Sequence, residues 1–401
     1  MTDSGPRLPP RIAHFDLDTF FVAVERTRDH ALRGRPVLVG RAGPRGVVAS
    51  ASYEARTFGC RSAQPMVQAL RLCPQAIVVP PDFTAYRSVS ARFHEMLRDT
   101  SPVVESVGID EAYVDLTGIG DAQGGAHEVA ARLRQRVREE LDVAVSVCIA
   151  DSRTTAKVGS DRAKPHGLIE VPVGEDAAFL APLPIRDLPM VGPKAAEILL
   201  RAGVRTIGQL ARLDERWLVQ MFGRAGTMIV ERARGLDPTP VNGGGRVARS
   251  ISREVTFLED VTDEAGLRRV LARHAERVGT DLRESGKRAR TVTLKLRWSD
   301  FTTLTRSHTL DRPLQSTAAI TAAARALFDA TIATEGMHPV RLIGIGVTNL
   351  VEDAMQLDLF DAATTGAGTP RPAGVLRDEE LDRTLDSLRA RFGTTAVKRG
   401  L

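Results

Sequence analysis

Residues 106–116 read SVGIDEAYVDL, and residues 11–21 read RIAHFDLDTFF. In the first stretch, Val103–Gly108 and Ala112–Leu116 have the pattern of two short strands about a tight turn at Ile109, Asp110 and Glu111. In the second, Ile12–Leu17 is a buried strand with Asp16 near its end. Strand ends are where an open α/β sheet exposes side chains to a cleft. Asp16, Asp110 and Glu111 therefore bring three carboxylates to one region, with Asp18 and Asp115 as extras. Each acid alone reads more simply as a turn or cap residue. Together they would repel one another unless cations neutralised them. Hard divalent ions such as Mg²⁺ take oxygen ligands, backbone carbonyls such as that of Leu17 included, and an ion pair about 3.5–4 Å apart suits chemistry on phosphates.

Outward from these strands, Thr19–Arg28 reads as a helix, Pro36–Gly40 and Gly46–Ser52 as short strands, and Tyr53–Cys73 as helical with breaks at Gly59 and Pro65. Glu128–Leu141 is an amphipathic helix, Val143–Ala150 an alternating strand, and Thr154–Ala163 another helix. Strand, helix, paired strands, helix, strand is the order of a split βαβ sheet of ferredoxin-like type, here with a mostly helical insertion after the first helix. Residues 172–238 are helical in pattern, and TPVNGGG at 239–245 reads as a flexible linker. Beyond it, strands at Arg249–Thr256, Thr291–Trp298, Thr302–Leu310 and Val340–Leu350 and helices at Glu264–Ser285 and Thr317–Thr334 make a second α/β layer. The tail after Asp361 is rich in Gly, Thr and Pro, then offers a short amphipathic helix at Asp378–Phe392. The fold class expected is α+β and multi-domain.

A chain of 401 residues exceeds one compact core. It has no apolar run long enough to span a bilayer and no signal-peptide pattern in MTDSGPRLPPR, so a cytoplasmic protein without a membrane partner is expected. Cys60, Cys73 and Cys148 lack metal-site spacing and read as reduced, buried thiols. The net charge is +5, and residues 241–350 alone hold 17 Lys and Arg against 12 Asp and Glu. Such a block suits a polyanion, although a solvated face explains it about as well. Arginine outnumbers lysine 49 to 6, which makes Lys157 and Lys164, seven apart in RTTAKVGSDRAKPHG, stand out as point charges.

Near the acids lies a set suited to phosphate, although an exposed Arg and a packing Tyr is the plainer reading of ASASYEARTFG in isolation. Tyr53 and Arg56, three apart, share a helix face, and Lys164 precedes Pro165 at a helix end. Leu188–Leu213 has the form helix, glycine-containing hairpin, helix, in which the backbone at Val191, Gly192 and Lys194 can hold a nucleic-acid phosphate. QLDLF, Gln356, Leu357, Asp358, Leu359 and Phe360, suits docking of a linear peptide into an apolar groove.

In HFDLDTFFVAVE, VVASASYEARTFGCRSAQPM, ESVGIDEAYVDL, KVGSDRAKPHG, the LPMVGPK hairpin and TVTLKLRWSDFTTLTRSHTL, the chain resembles a Y-family DNA polymerase of the DinB or polymerase IV branch over residues 11–350. The resemblance implies a ferredoxin-like palm (1–19 and 83–171), small helical fingers (20–82) and a helical thumb with a helix-hairpin-helix (172–238). A linker (239–248), an α/β little finger (249–350) and a tail (351–401) follow. It implies two Mg²⁺ held by Asp16, Asp110, Glu111 and the Leu17 carbonyl, with Tyr53, Arg56 and Lys164 on the triphosphate of a deoxynucleotide. Of Phe20 and Phe21, one ring packs inward and the other, matched by Phe21, bars a 2′-hydroxyl; Ala49 and Ser50 would sit over the nascent base pair. Small side chains there imply a roomy pocket, frequent errors and tolerance of damaged primer-template DNA. QLDLF looks like the family's sliding-clamp motif, on an expected monomer. Gly108 stands where the family usually has serine, and Thr19 where a larger residue is common. A non-catalytic, clamp- and DNA-binding scaffold would be marked by lost acids, and all three are present. A palm-fold nucleotide cyclase would have no use for the hairpin or the peptide.

Overall fold

The computed structural model describes residues 8–119, 124–244, 248–352, 373–393 and 396–397. Two compact units result, Met1–Arg246 and Val247–Leu401.

The first unit is built on a five-stranded sheet of β1 (Ile12–Leu17), β5 (Val104–Ser106), β6 (Glu111–Asp115), β7 (Val145–Ala150) and β8 (Leu168–Glu170). Its order is β5-β6-β1-β7-β8, so β1 is central and antiparallel to both neighbours. Successive β1 side chains alternate between faces. Ala13, Phe15 and Leu17 enter a core with Phe93, Met96 and Leu97 of helix α4 (Phe83–Thr100) and Val129, Leu133 and Val137 of α5 (Ala126–Leu141). His14 and Asp16 face the other side, covered by α6 (Arg153–Arg162). There α6 lies so close that a Cβ on Gly159 would stand 2.1 Å from Cys148 Sγ. That close approach brings Lys157 and Ser160 down onto β1.

Two features of this unit depart from expectation. The crossover helix beside α5 is α4, not the Thr19–Arg28 helix, observed as α1 (Phe20–Arg28). The stretch 20–82 also holds a three-stranded sheet, β3 (Val48–Ala51), β2 (Val37–Gly40) and β4 (Ile77–Val79), which carries the short helices α2 (Tyr53–Thr57) and α3 (Met66–Leu72). Residues 172–238 are helical as expected, from α7 (Asp176–Leu180) through α8 (Pro193–Arg201), α9 (Ile207–Ala211) and α10 (Glu215–Phe222) to α11 (Arg224–Ala233). They enclose their own core around Leu199, Leu210, Leu218 and Val230.

The expected flexible linker is only partly free. Val241 is buried among Ile12, Cys148, Ala150, Ala156 and Val171. Arg153, paired at 2.6 and 2.9 Å with the buried Glu105, donates to the Pro240 carbonyl at 2.8 Å, and the Asn242 N–H donates to Glu105 at 2.8 Å. Residues far apart in sequence thus pin the start of the segment.

In the second unit, β9 (Ser250–Val261), β10 (Lys287–Trp298), β11 (Thr303–Leu314) and β12 (Val340–Glu352) form an antiparallel sheet of order β11-β10-β12-β9. Helices α12 (Glu264–Glu284) and α13 (Thr317–Glu335) cover one face, with Leu271, Val278, Phe328, Val292, Leu294 and Ile343 in the core. The intervening positions on β10, Thr293, Lys295 and Arg297, pair with Ser307, Thr305 and Thr303. That face carries hydroxyls and cations, with Lys295 paired to Glu254 at 2.7 Å and Leu342 opposite Arg297. The expected terminal helix runs Ala373–Phe392, here α14, and is held by ion pairs: Arg288 reaches Glu379 at 2.8 and 3.0 Å, and Arg283 reaches Asp386 at 2.6 Å. Among the described residues, no helix is long and apolar enough to cross a membrane.

Candidate active site

The register of β1 against β6 places Asp16 opposite Glu111. The Leu17 N–H donates to the Asp110 carbonyl at 2.9 Å, tying the end of β1 to the acidic turn. A Cβ at Gly108 would lie 3.1 Å from Asp110 Oδ1 and 3.2 Å from Glu111 Cγ, so the glycine leaves the space in which both acids lie. Asp16, Asp110 and Glu111 thus lie at neighbouring positions where β1 and β6 end on the acidic turn.

Two ammonium groups from the α6 side meet them. Lys157 Nζ lies 2.6 Å from Glu111 Oε2 and 3.1 Å from Asp16 Oδ2, and Lys164 Nζ lies 2.9 Å from the same Asp16 oxygen. Burial works against the charge on both lysines, but the surrounding carboxylates outweigh it and hold each pKa above its usual value. Burial, then the charges of Asp16 and Glu111, push Asp110 up. Glu111 goes the other way, to about 2, because His14 foremost and then Lys157 outweigh the burial that opposes them. Among the described residues, no three His, Cys, Asp or Glu side chains close on a single point. The lysines stand where the carboxylates would otherwise face one another bare. An all-oxygen donor set that draws two cations onto itself fits hard divalent ions.

Of two further buried groups, sequence reasoning named Asp18 only as an extra acid and missed His14. Asp18 accepts from Ser146 Oγ at 2.9 Å, from the His166 N–H at 2.8 Å and from Tyr53 OH at 3.2 Å, joining β1, β7, the loop after Lys164 and α2. His14 is fully buried two residues before Asp16. A polar residue at i−2 from an acid in an otherwise apolar strand was the available signal.

Tyr53 and Arg56 come together as expected, with the guanidinium carbon 5.1 Å from the ring centroid. Burial and Asp18 push the Tyr53 phenol above its usual pKa, so it stays a neutral donor. Phe20 is core, whereas the half-buried Phe21 stacks on Tyr86 at 4.4 Å with 13° between planes. Ala49 is exposed on β3, but Ser50 is largely covered. Thr19 caps α1 at φ 44°, a left-handed conformation costly for a β-branched residue. At the helical hairpin, the Val191 N–H already donates to the Leu188 carbonyl and Pro193 has none to give, which leaves Gly192 and Lys194 as candidate donors. Gln356–Phe360 lies outside the described residues.

Comparison with known proteins identifies the family. Residues 15–161 match the impB/mucB/samB family and residues 248–359 match that family's C-terminal domain. A DNA polymerase IV of Dehalococcoides mccartyi (strain CBDB1) is 38% identical over 391 residues, covering 97% of each chain. One from Streptomyces coelicolor is 42% identical over 370 residues, covering 92% of this chain and 76% of its own. Among solved structures, a Y-family DNA polymerase chimera, Dbh-Dpo4(243-245)-Dbh, superimposes with a TM-score of 0.76 at 24% identity, over 85% of this chain and 99% of the other, a likeness of fold. An insertion ternary complex of Dbh DNA polymerase gives a TM-score of 0.62 at 24% identity, with the same coverage. With acids, lysines and both family segments in place, the chain belongs to the impB/mucB/samB family, the Y-family DNA polymerases, in its DNA polymerase IV branch.

Proposed function

We infer that this protein is a template-directed DNA polymerase of low fidelity that extends a primer 3′-hydroxyl past damaged template bases. The observation that carries the reading is the gathering of Asp16 and Glu111 against Lys157 and Lys164, with Asp110 beside them in the turn. The 3′-hydroxyl attacks the α-phosphorus of a deoxynucleoside triphosphate in line, and pyrophosphate leaves. Asp16, Asp110, Glu111 and the Leu17 carbonyl would hold two Mg²⁺, which would supply the charge neutralisation and hydroxyl activation such a transfer needs.

The chain's own residues do the positioning. Tyr53, Arg56 and Lys164 bind the triphosphate, for which Lys164 gives up Asp16. Phe21, backed by Tyr86, walls off the 2′ position of the sugar, and Ala49 borders the base pair with little bulk. We assign 1–19 and 83–171 to the palm, 20–82 to the fingers, 172–238 to the thumb and 249–350 to the little finger. Gly192 and Lys194 hold a phosphate of the DNA. The hydroxyl-and-cation face of the second sheet suits duplex backbone and would make binding salt-sensitive. Gln356–Phe360 docks on a sliding clamp, and the protein acts as a cytoplasmic monomer. A scaffold without catalysis is disfavoured because no palm acid is missing.

Asp110→Ala tests this reading in a Mg²⁺-dependent primer-extension assay on intact and lesion-bearing templates. Extension should vanish while DNA binding persists; extension at the parent rate would refute the assignment.

A further inference from the structure

His14 Nδ1 lies 2.8 Å from Ser160 Oγ, and Ser160 Oγ donates to the Lys157 carbonyl at 2.9 Å. The other ring nitrogen, Nε2, has no hydrogen-bond partner, although the residue is fully buried. It points at the acidic pocket, 3.5 Å from Glu111 Oε2, and the Tyr113 ring packs edge-on against the imidazole with centroids 4.6 Å apart. A buried ring nitrogen left without a partner is costly and calls for a reason. Lys157, at 2.6 Å, holds Glu111 Oε2 just beyond formed-bond distance from His14.

We propose that His14 is a positioning residue for Glu111: once cations displace Lys157, His14 Nε2–H takes the freed carboxylate oxygen and fixes the direction of the other. The inference rests on the reading of Asp16, Asp110 and Glu111 as metal ligands. A neutral imidazole donates at Nε2 only when Nδ1 accepts. Ser160 is the group placed to supply that proton, by turning its hydroxyl from the Lys157 carbonyl to the ring. The same helical turn thus carries both the lysine that leaves and the serine that orients its replacement. Partners that hold metal-binding carboxylates from behind govern ion affinity as well as rate.

The test is Mn²⁺ binding to the full chain without DNA, read by electron paramagnetic resonance, with thermal unfolding in EDTA alongside. His14→Phe should weaken Mn²⁺ binding by ~10–100-fold while His14→Gln, whose amide reaches the Nε2 position, stays within about threefold of the parent. His14→Asn, which reaches Ser160 but not Glu111, should behave as His14→Phe and serves if that variant fails to fold. Parent-like Mn²⁺ affinity in His14→Phe or His14→Asn, with Glu111→Gln weakened, overturns the role of His14 alone. Unchanged affinity in Glu111→Gln and Asp16→Asn overturns the metal site itself.

Discussion

Lys157 stands 2.6 Å from Glu111 and, through the same ammonium, 3.1 Å from Asp16, so one helix cation bridges the two strands that carry the acids. Its side chain is 26% exposed, a setting between a surface pair and a buried one. Lys157→Ala should therefore lower the stability of the metal-free protein by about 1–3 kcal/mol. Saturating Mg²⁺ should narrow that gap, since ions would replace the lost charge. Urea unfolding in EDTA and in Mg²⁺ reads both; an equal loss in the two conditions would show that Lys157 serves packing alone.

Asp110 and Glu111 should respond to pH with opposite signs. Asp110 titrates above its ordinary value because burial and its acidic neighbours disfavour the ionised form. Its charge therefore costs stability above that raised pKa, and the cost disappears as pH falls through it. Asp110→Asn should make the metal-free protein more stable at pH 7, with the advantage shrinking on acidification. Glu111, at about 2, contributes stability that is present above the ordinary 4.5 and lost only as pH falls from there toward 2. Melting curves of the parent, Asp110→Asn and Glu111→Gln across pH in EDTA check the pair. A less stable Asp110→Asn at neutral pH would contradict the crowding.

Phe21 is held by its stack on Tyr86, whose hydroxyl donates to Glu25 at 2.6 Å. Phe21→Ala would remove the proposed wall without touching an acid. Ribonucleotide incorporation relative to deoxyribonucleotide should rise by at least ~10-fold in single-nucleotide extension, because discrimination of this kind rests on contact with the sugar. Unchanged discrimination would move the barrier to another side chain.

The terminal helix α14 is fastened through Glu379 and Arg288, both almost fully buried. Glu379→Ala leaves the guanidinium without that carboxylate in a buried site, and such losses cost about 3–5 kcal/mol. The unfolding transition of residues 247–401 should shift down accordingly, while that of the first unit stays put. Limited proteolysis during heating distinguishes the two.

What the sequence showed and hid follows from how far each signal reaches along the chain. The acidic turn was legible because two short apolar runs flank it. Helix α4 was not, because Ser90 and His94 interrupt its buried stripe, although Asp82 caps it with bonds to the Thr84 and Ala85 N–H groups. His14 was passed over because one imidazole does not disturb a six-residue strand. The lysines stood out by rarity, but their partners on other strands did not. For Pro240–Asn242 the local composition misled: glycine and proline suggested freedom, and the clamp comes from Glu105 and Arg153, more than eighty positions away.

That clamp closes on itself within the first unit. Arg153 on α6 reaches both Glu105 on β5 and the Pro240 carbonyl, and Glu105 in turn takes the Asn242 N–H. A change at Glu105 would therefore loosen a helix, a sheet edge and the chain's exit at one stroke, whereas one at Arg153 would leave the Asn242 bond and the buried Val241 to hold the segment.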